Sequence, residues 1–169
     1  MNGSSDSCAS RSRKRGWLTL KEEKVSTPIL DKPMQIAWME VLETGVGELD
    51  AWHRQLIHDL NDLLWLSRTC APWSKVCERA ELLAASCIDH FRFEEAIMTD
   101  TLFPRRRAHA DEHRRIEEHL EVLLVRMRAS DGGIPAERAR TDQFLPLLVD
   151  VMVGHDLDYR SHLLHQLGR

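Results

Sequence analysis

The sequence predicts an all-α protein, an up-down-up-down bundle of four helices preceded by an N-terminal arm. Apolar residues recur at three- and four-residue steps over long stretches of the chain, as they do on one face of an α-helix. Short segments that contain Pro or Gly separate these stretches, and short connections make consecutive helices antiparallel. With 169 residues, of which 43% are hydrophobic, the chain is large and apolar enough to bury a core.

Each helix has its own boundary signals. Ser74 is the predicted N-cap of the second helix, and Phe103–Pro104 connects the second helix to the third. Pro135 suits the first turn of the fourth helix, whereas Pro146 lies inside that helix and is expected to kink it. The predicted helices cover residues 46–68, 74–100, the stretch after 104 up to about 129, and 135–167.

The composition changes at about residue 35. Residues 1–35 are rich in Ser, Lys and Arg, with seven basic residues against four acidic ones, so we expect a basic, disordered tail before a bundle over residues 36–169. A solvated tail without a function and a tail that contacts an acidic protein partner or a membrane surface are both compatible with this pattern. Residues 36–45, around Trp38, are expected to form the arm that packs on the bundle.

Charge and cysteine content exclude several classes of protein. The net charge of −4 does not indicate a nucleic-acid-binding surface, and no run of 18 apolar residues predicts a transmembrane helix. No apolar segment follows the basic N-terminus, as it would in a secretory signal. The four cysteines form no CxxC pair. We therefore expect a cytoplasmic protein with reduced thiols.

Histidine is the unusual residue, with nine in the chain against one tyrosine. Residues four apart share one face of a helix, so the pairs His90/Glu94 and His109/His113 each direct two ligands to one point. The first predicted helix adds His53, and the fourth adds His155 next to Asp156 and Asp158.

Neutral imidazoles and carboxylates suit iron, manganese or zinc, while the absence of thiolates argues against structural zinc. These donors outnumber the needs of one tetrahedral ion, so we expect two ions. Four other histidines look like solvated positions without a role: His58, His119, His162 and His165.

Three segments carry a family resemblance. Residues 90–98 (HFRFEEAIM), Phe103–Pro104 and residues 109–113 (HADEH) resemble the hemerythrin iron signature HFxxEExxM, aromatic-Pro, HxxxH. Upstream, residues 46–56 are similar to the opening of bacterial hemerythrins, although Trp52 stands where that family has Gln. The resemblance covers roughly residues 36–165 and includes Trp38.

The resemblance to bacteriohemerythrins implies a non-haem di-iron centre with an oxo or hydroxo bridge. Members of the family bind O₂ reversibly, which implies a non-enzymatic oxygen carrier, store or sensor, with NO as a further candidate ligand. By this resemblance, Glu94 bridges the two ions, and the family's other ligands in this part of the chain map onto His53, His90, His109 and His113.

The fourth helix departs from the family pattern. Residues 156–163 fit its DxxYxxHL end, which makes Asp156 the second bridge but puts Val151 in the place of a ligand histidine. Two outcomes stay open: His155 replaces that histidine, or one ion has one imidazole fewer. A gapped alignment uses Asp158 instead of Asp156.

Two other functions compete with O₂ binding. An oxidase, or a peroxide- or NO-reactive protein, would use the same site, and a missing imidazole would favour it. A metal-free histidine phosphotransfer bundle needs an exposed histidine, commonly near a lysine, but none of the five lysines is close in sequence to a candidate histidine.

Overall fold

The computed structural model describes residues 36–69, 71–132 and 138–166, without the side chains of residues 41, 153–155, 157 and 158. In this part of the chain there are five α-helices and no strand, which confirms the all-α prediction. The helices are α1 (Gly47–Arg68), α2 (Trp73–Asp100), α3 (Arg106–Arg128), α4 (Phe144–Val149) and α5 (Asp156–Gln166).

The first three helices form the long part of the bundle, and their bounds differ from the predictions by one or two residues. The predicted N-cap at Ser74 is wrong, because α2 begins at Trp73 with Pro72 as its N-cap residue. The Pro72 carbonyl accepts hydrogen bonds from the amides of Lys75 and Val76, at 2.9 and 3.3 Å. The first helical hydrogen bond therefore starts at the proline carbonyl, and no side chain of the N-cap residue caps the helix.

The fourth helical stretch is not the single kinked helix that the sequence predicts. It runs from a 3₁₀ segment (Ala139–Gln143) through α4 and a π-helical segment (Asp150–His155) into α5. The change from 3₁₀ to α just before Phe144 places Pro146 in the first turn of α4, where a missing amide costs little. The predicted start at Pro135 lies outside the described residues.

Neighbouring helices pack in the order expected for a bundle. α1 packs against α2, α2 against α3, and the 3₁₀ segment and α4 return to α1. The apolar core has a large cluster that includes Leu56 and Phe91, and a small cluster that includes Leu49 and Met98. On α1, His53 lies between Leu49 of the small cluster and Leu56 of the large cluster. Its side chain is fully buried, at 0% exposure.

The arm packs on α1, as the sequence predicts. The backbone of Ile36 makes two hydrogen bonds with the Asn61 amide, at 2.9 and 3.0 Å. The Arg54 guanidinium lies 4.3 Å from the centre of the Trp38 ring, a cation–π contact. A 3₁₀ turn at Glu40–Leu42 then leads towards α1.

The bundle belongs to a compact unit that spans Lys32–Arg169. The predicted tail, residues 1–35, lies outside the described residues, so both the tail and its boundary stay predictions. Among the helices that the structure describes, none is both long and apolar enough to cross a bilayer.

Candidate metal centre

Six buried side chains form two adjacent groups of potential metal ligands. Within each group, one ligand atom of each residue lies within 4.8 Å of the others. Each group has two imidazoles and one carboxylate, the donor set typical of non-haem Fe(II) sites. The first group is His53, His90 and Asp156, and the second group is Glu94, His109 and His113.

Helix geometry places these side chains. α2 and α3 each supply two ligands four residues apart, which lie on one face of the helix. α1 supplies His53, and Asp156 is the first residue of α5. The structure therefore brings together six of the seven ligands that the sequence predicts, although their role as ligands stays a prediction.

In the first group, the ligands come from three different helices. His53 Nε2 lies 3.0 Å from Asp156 Oδ2. The rings of His53 and His90 are 4.9 Å apart between centres and meet edge to face at 73°. Two imidazoles and a carboxylate oxygen thus surround one small volume.

In the second group, three ligand atoms converge. Glu94 Oε2 lies 3.3 Å from His109 Nε2 and 3.4 Å from His113 Nε2. The two imidazole nitrogens are themselves 3.0 Å apart. Two ring nitrogens and a carboxylate oxygen at these distances suit a shared cation or a shared proton.

Each carboxylate also reaches the other group. Glu94 Oε2 lies 3.9 Å from His90 Nε2, and Asp156 Oδ1 lies 3.8 Å from His109 Nε2. The two groups are therefore neighbours, and Glu94 and Asp156 stand between them. This is the arrangement in which a carboxylate can bridge two ions.

Buried polar atoms without a partner support metal binding. His90 Nε2, Glu94 Oε1 and Asp156 Oδ1 are fully buried and make no hydrogen bond to any described residue. A buried polar atom without a partner costs about 1–3 kcal/mol, and a native protein seldom keeps several in one place. The donor set and its unsatisfied atoms therefore fit cations.

The electrostatics agree with this donor set. Burial lowers the pKa of His90 to about 3, so the imidazole is neutral, as a metal ligand must be. Burial also disfavours the charge on Glu94, but hydrogen bonds from His109 and His113 outweigh it and lower its pKa. Burial and repulsion from Glu94 raise the pKa of Asp156 to about 6. A cation between the two carboxylates would relieve that repulsion.

Two contacts behind the ligands were not anticipated from the sequence. His113 Nδ1 lies 2.9 Å from Glu95 Oε1, and His53 Nδ1 lies 3.5 Å from the Leu42 carbonyl oxygen. Such partners orient an imidazole and leave Nε2 for the metal. Phe91 stacks on His113, with 4.1 Å between ring centres and 11° between planes. Glu95 lies within the HFxxEExxM match, which was the available signal.

The π-helical segment sets the geometry of the fourth stretch. A π-helix makes i→i+5 hydrogen bonds, so Val151 and Asp156 lie one turn apart on the same side. Val151 is 2% exposed and belongs to the same core cluster as Phe91. The side chains of His155 and Asp158 lie outside the described part of the chain, so the part assigned to each in the alternative alignments stays a prediction.

The four histidines without a predicted role lie away from the two groups. His58, His119 and His165 are exposed. His162 differs from the solvated position that the sequence predicts, because it is half-buried and its Nε2 lies 2.9 Å from the Thr101 carbonyl oxygen.

The fold and the site together define an all-α helical bundle with a buried histidine- and carboxylate-rich candidate centre for two ions.

No family model matches the chain. It is similar to proteins named bacteriohemerythrin, which confirms the resemblance seen in the motifs. The relative from Pseudomonas paraeruginosa (strain DSM 24068 / PA7) is 27% identical over 96 residues, and those from Pseudomonas aeruginosa (strain LESB58) and Stenotrophomonas maltophilia (strain R551-3) are each 26% identical over 96 residues. Each match covers 57% of this chain and 62% of the relative, so the chain spans about three fifths of the length of the relatives it matches.

Proposed function

We propose that this protein holds two non-haem iron ions and binds O₂ reversibly, as a carrier, store or sensor. The observation that carries the proposal is the pair of adjacent groups with two imidazoles and one carboxylate each. The similarity to proteins named bacteriohemerythrin, together with the hemerythrin-like motifs of the sequence, supports iron as the metal and O₂ as the ligand. When bound, two ferrous ions supply the electrons for reversible O₂ binding.

The protein side chains hold and insulate this centre. Glu94 and Asp156 supply two negative charges and stand where they can bridge the ions, while the imidazoles add no charge. This set is less negative than the carboxylate-rich sites of di-iron oxygenases, so it gives less support to the high-valent iron that oxidation chemistry uses. His113 is buried and stacks on Phe91, and a surrounding from which bulk water is excluded would slow the autoxidation of bound iron.

A second candidate function is peroxide or NO chemistry at the same centre. Val151 favours it, because an aliphatic side chain stands where the family has a ligand histidine. Tyr159 is the buried phenol near the centre, with its ring 6.5 Å from that of His109. Histidine phosphotransfer is not favoured at the grouped histidines, which are at most 6% exposed and so are closed to a phosphodonor.

The test uses the full chain, reduced without air, with iron content and the visible spectrum recorded before and after O₂. We expect two irons per chain and a charge-transfer band that appears with O₂ and fades under vacuum. Irons that oxidise at once without a reversible band would favour the second candidate, and a chain that binds no iron would refute both.

The matched variants are His109→Ala and His119→Ala, which remove a buried and an exposed histidine from the same helix. We expect the first variant to lose at least one iron and the second to keep both. Equal iron contents in the two variants would contradict the assignment of His109.

A further inference from the structure

The second group, formed by Glu94, His109 and His113, already has the spacing of a metal site. A first-row divalent ion holds nitrogen and oxygen donors at about 2.1 Å, so donors that lie about 90–109° apart around it are about 3.0–3.4 Å from one another. In this group, the distances between Glu94 Oε2 and the two Nε2 atoms are 3.3 and 3.4 Å, and the two Nε2 atoms are 3.0 Å apart. All three edges of the second group therefore have the lengths that an ion requires.

The two groups differ in what stands behind their histidines. In the second group, His113 Nδ1 lies 2.9 Å from Glu95 Oε1. In the first group, His53 Nδ1 lies 3.5 Å from the neutral carbonyl oxygen of Leu42, and His90 Nδ1 makes no hydrogen bond to any described residue. The short contact with a carboxylate therefore belongs to the second group.

Two contacts fix the ring of His113. Phe91 stacks on its face, with 4.1 Å between ring centres. When Nε2 binds an ion, the ring proton is on Nδ1, which donates it to the Glu95 carboxylate; this contact makes the imidazole a stronger donor. A ring that is fixed before the ion arrives also loses less freedom on binding.

We propose that Glu95 is a positioning residue that makes the second group the tighter of the two positions, so that the first ion binds there. This inference rests on the proposed di-iron function and deepens it, because it gives the order in which the two positions fill. Glu95 is 40% exposed and acts on the ion through His113.

The first test is a titration of the metal-free full chain with Co(II) without air, in the parent, Glu95→Gln and Glu81→Gln. Glutamine at position 95 keeps an oxygen that accepts a hydrogen bond but lacks the negative charge. Glu81 is the matched control, because it lies on the same helix, is 43% exposed and also joins α2 to α3, through a 2.8 Å contact with Arg128 Nε.

We expect the parent to bind two ions in two separate steps. Glu95→Gln should lose about 10–100-fold in affinity for the first ion, the usual cost of altering a partner behind a ligand histidine, while Glu81→Gln should bind both ions as the parent does. A single unresolved step in the parent, an unchanged first step in Glu95→Gln, or an equal loss in Glu81→Gln would overturn the inference and leave the proposed function standing. Fewer than two ions bound at saturating Co(II) would contradict the proposed function itself.

A second test locates the first ion and does not depend on affinity. In proton NMR of the chain with one equivalent of Co(II), the ring N–H protons of the bound imidazoles give strongly shifted signals that disappear in D₂O. We expect one of these signals to move in Glu95→Gln and none in Glu81→Gln, because His113 Nδ1 faces residue 95. The same shifted signals in the parent and in Glu95→Gln would place the first ion away from His113 and refute the inference.

Discussion

Replacing Glu94 with glutamine removes one negative charge from the centre and changes little else. Glu94 is fully buried, and its Oε2 lies within 3.9 Å of the Nε2 atoms of His90, His109 and His113. Glutamine has nearly the same volume, so the core around it need not rearrange. Any loss of metal in Glu94→Gln is therefore an effect of charge and donor type.

The expected size of the effect follows from these distances. An ion held by the second group lies no farther than about 4 Å from the Glu94 carboxylate. Two unit charges at about 4 Å interact by about 4 kcal/mol at an effective dielectric constant of about 20, and each 1.4 kcal/mol is tenfold in affinity. We expect the affinity for a divalent ion at this position to fall about 1,000-fold or more.

The assay is a titration of the metal-free protein with Fe(II) or Co(II) without air, followed by metal analysis after desalting. Glu78→Gln is the matched control, because Glu78 lies on the same helix but is 57% exposed and pairs with Lys75 at the surface. We expect the control to bind two ions as the parent does. Two ions bound to Glu94→Gln with the affinities of the parent would refute the reasoning.

Two further predictions concern the fourth helical stretch and the bundle itself. Asp156→Ala should lose more metal than Asp158→Ala, measured as ions retained per chain, since Asp156 is buried in the first group; the reverse order would support the gapped alignment. Gly132 has φ +68°, and a Cβ there would overlap the Trp73 ring. The left-handed backbone alone costs a residue with a Cβ about 1–2 kcal/mol. We therefore expect Gly132→Ala to lower the free energy of unfolding, measured by urea titration, by more than this amount. A Cβ at Gly47 would have no atom within 4 Å, so we expect Gly47→Ala to leave the free energy of unfolding unchanged or to raise it slightly, as measured by urea titration. Equal effects of the two glycine variants would contradict this account.

The three long helices could be predicted from the sequence because their signals are local. The apolar period in α1 and α3, and the Pro and Gly residues between helices, depend only on neighbours within a few positions. The bounds of α2 were accurate to one residue for the same reason. The prediction of a single kinked fourth helix was wrong, because 3₁₀, α and π segments follow one another there. The 3₁₀ segment and α4 pack on α1, and the sequence pattern of this stretch does not distinguish the three helical types from one another.

The candidate ligands divide in the same way. Four of them lie in i,i+4 pairs on α2 and α3, and helix periodicity is enough to put each pair on one face. His53 and Asp156 come from two other helices and meet at 3.0 Å, a distance that depends on how the bundle closes. Glu95 reaches His113 from a neighbouring helix, and no spacing rule would have assigned it that contact.

Residue identity and spacing thus predicted the fold class, the donor types and two of the candidate ligand pairs, because each of these depends on patterns within single helices. Only the packed bundle decided how those helices combine their candidate ligands, as two groups of equal composition with two carboxylates between them. The physical reason is the distance along the chain over which each effect acts. Helical periodicity acts over a few residues, whereas the convergence of buried charges depends on contacts between residues up to about a hundred positions apart.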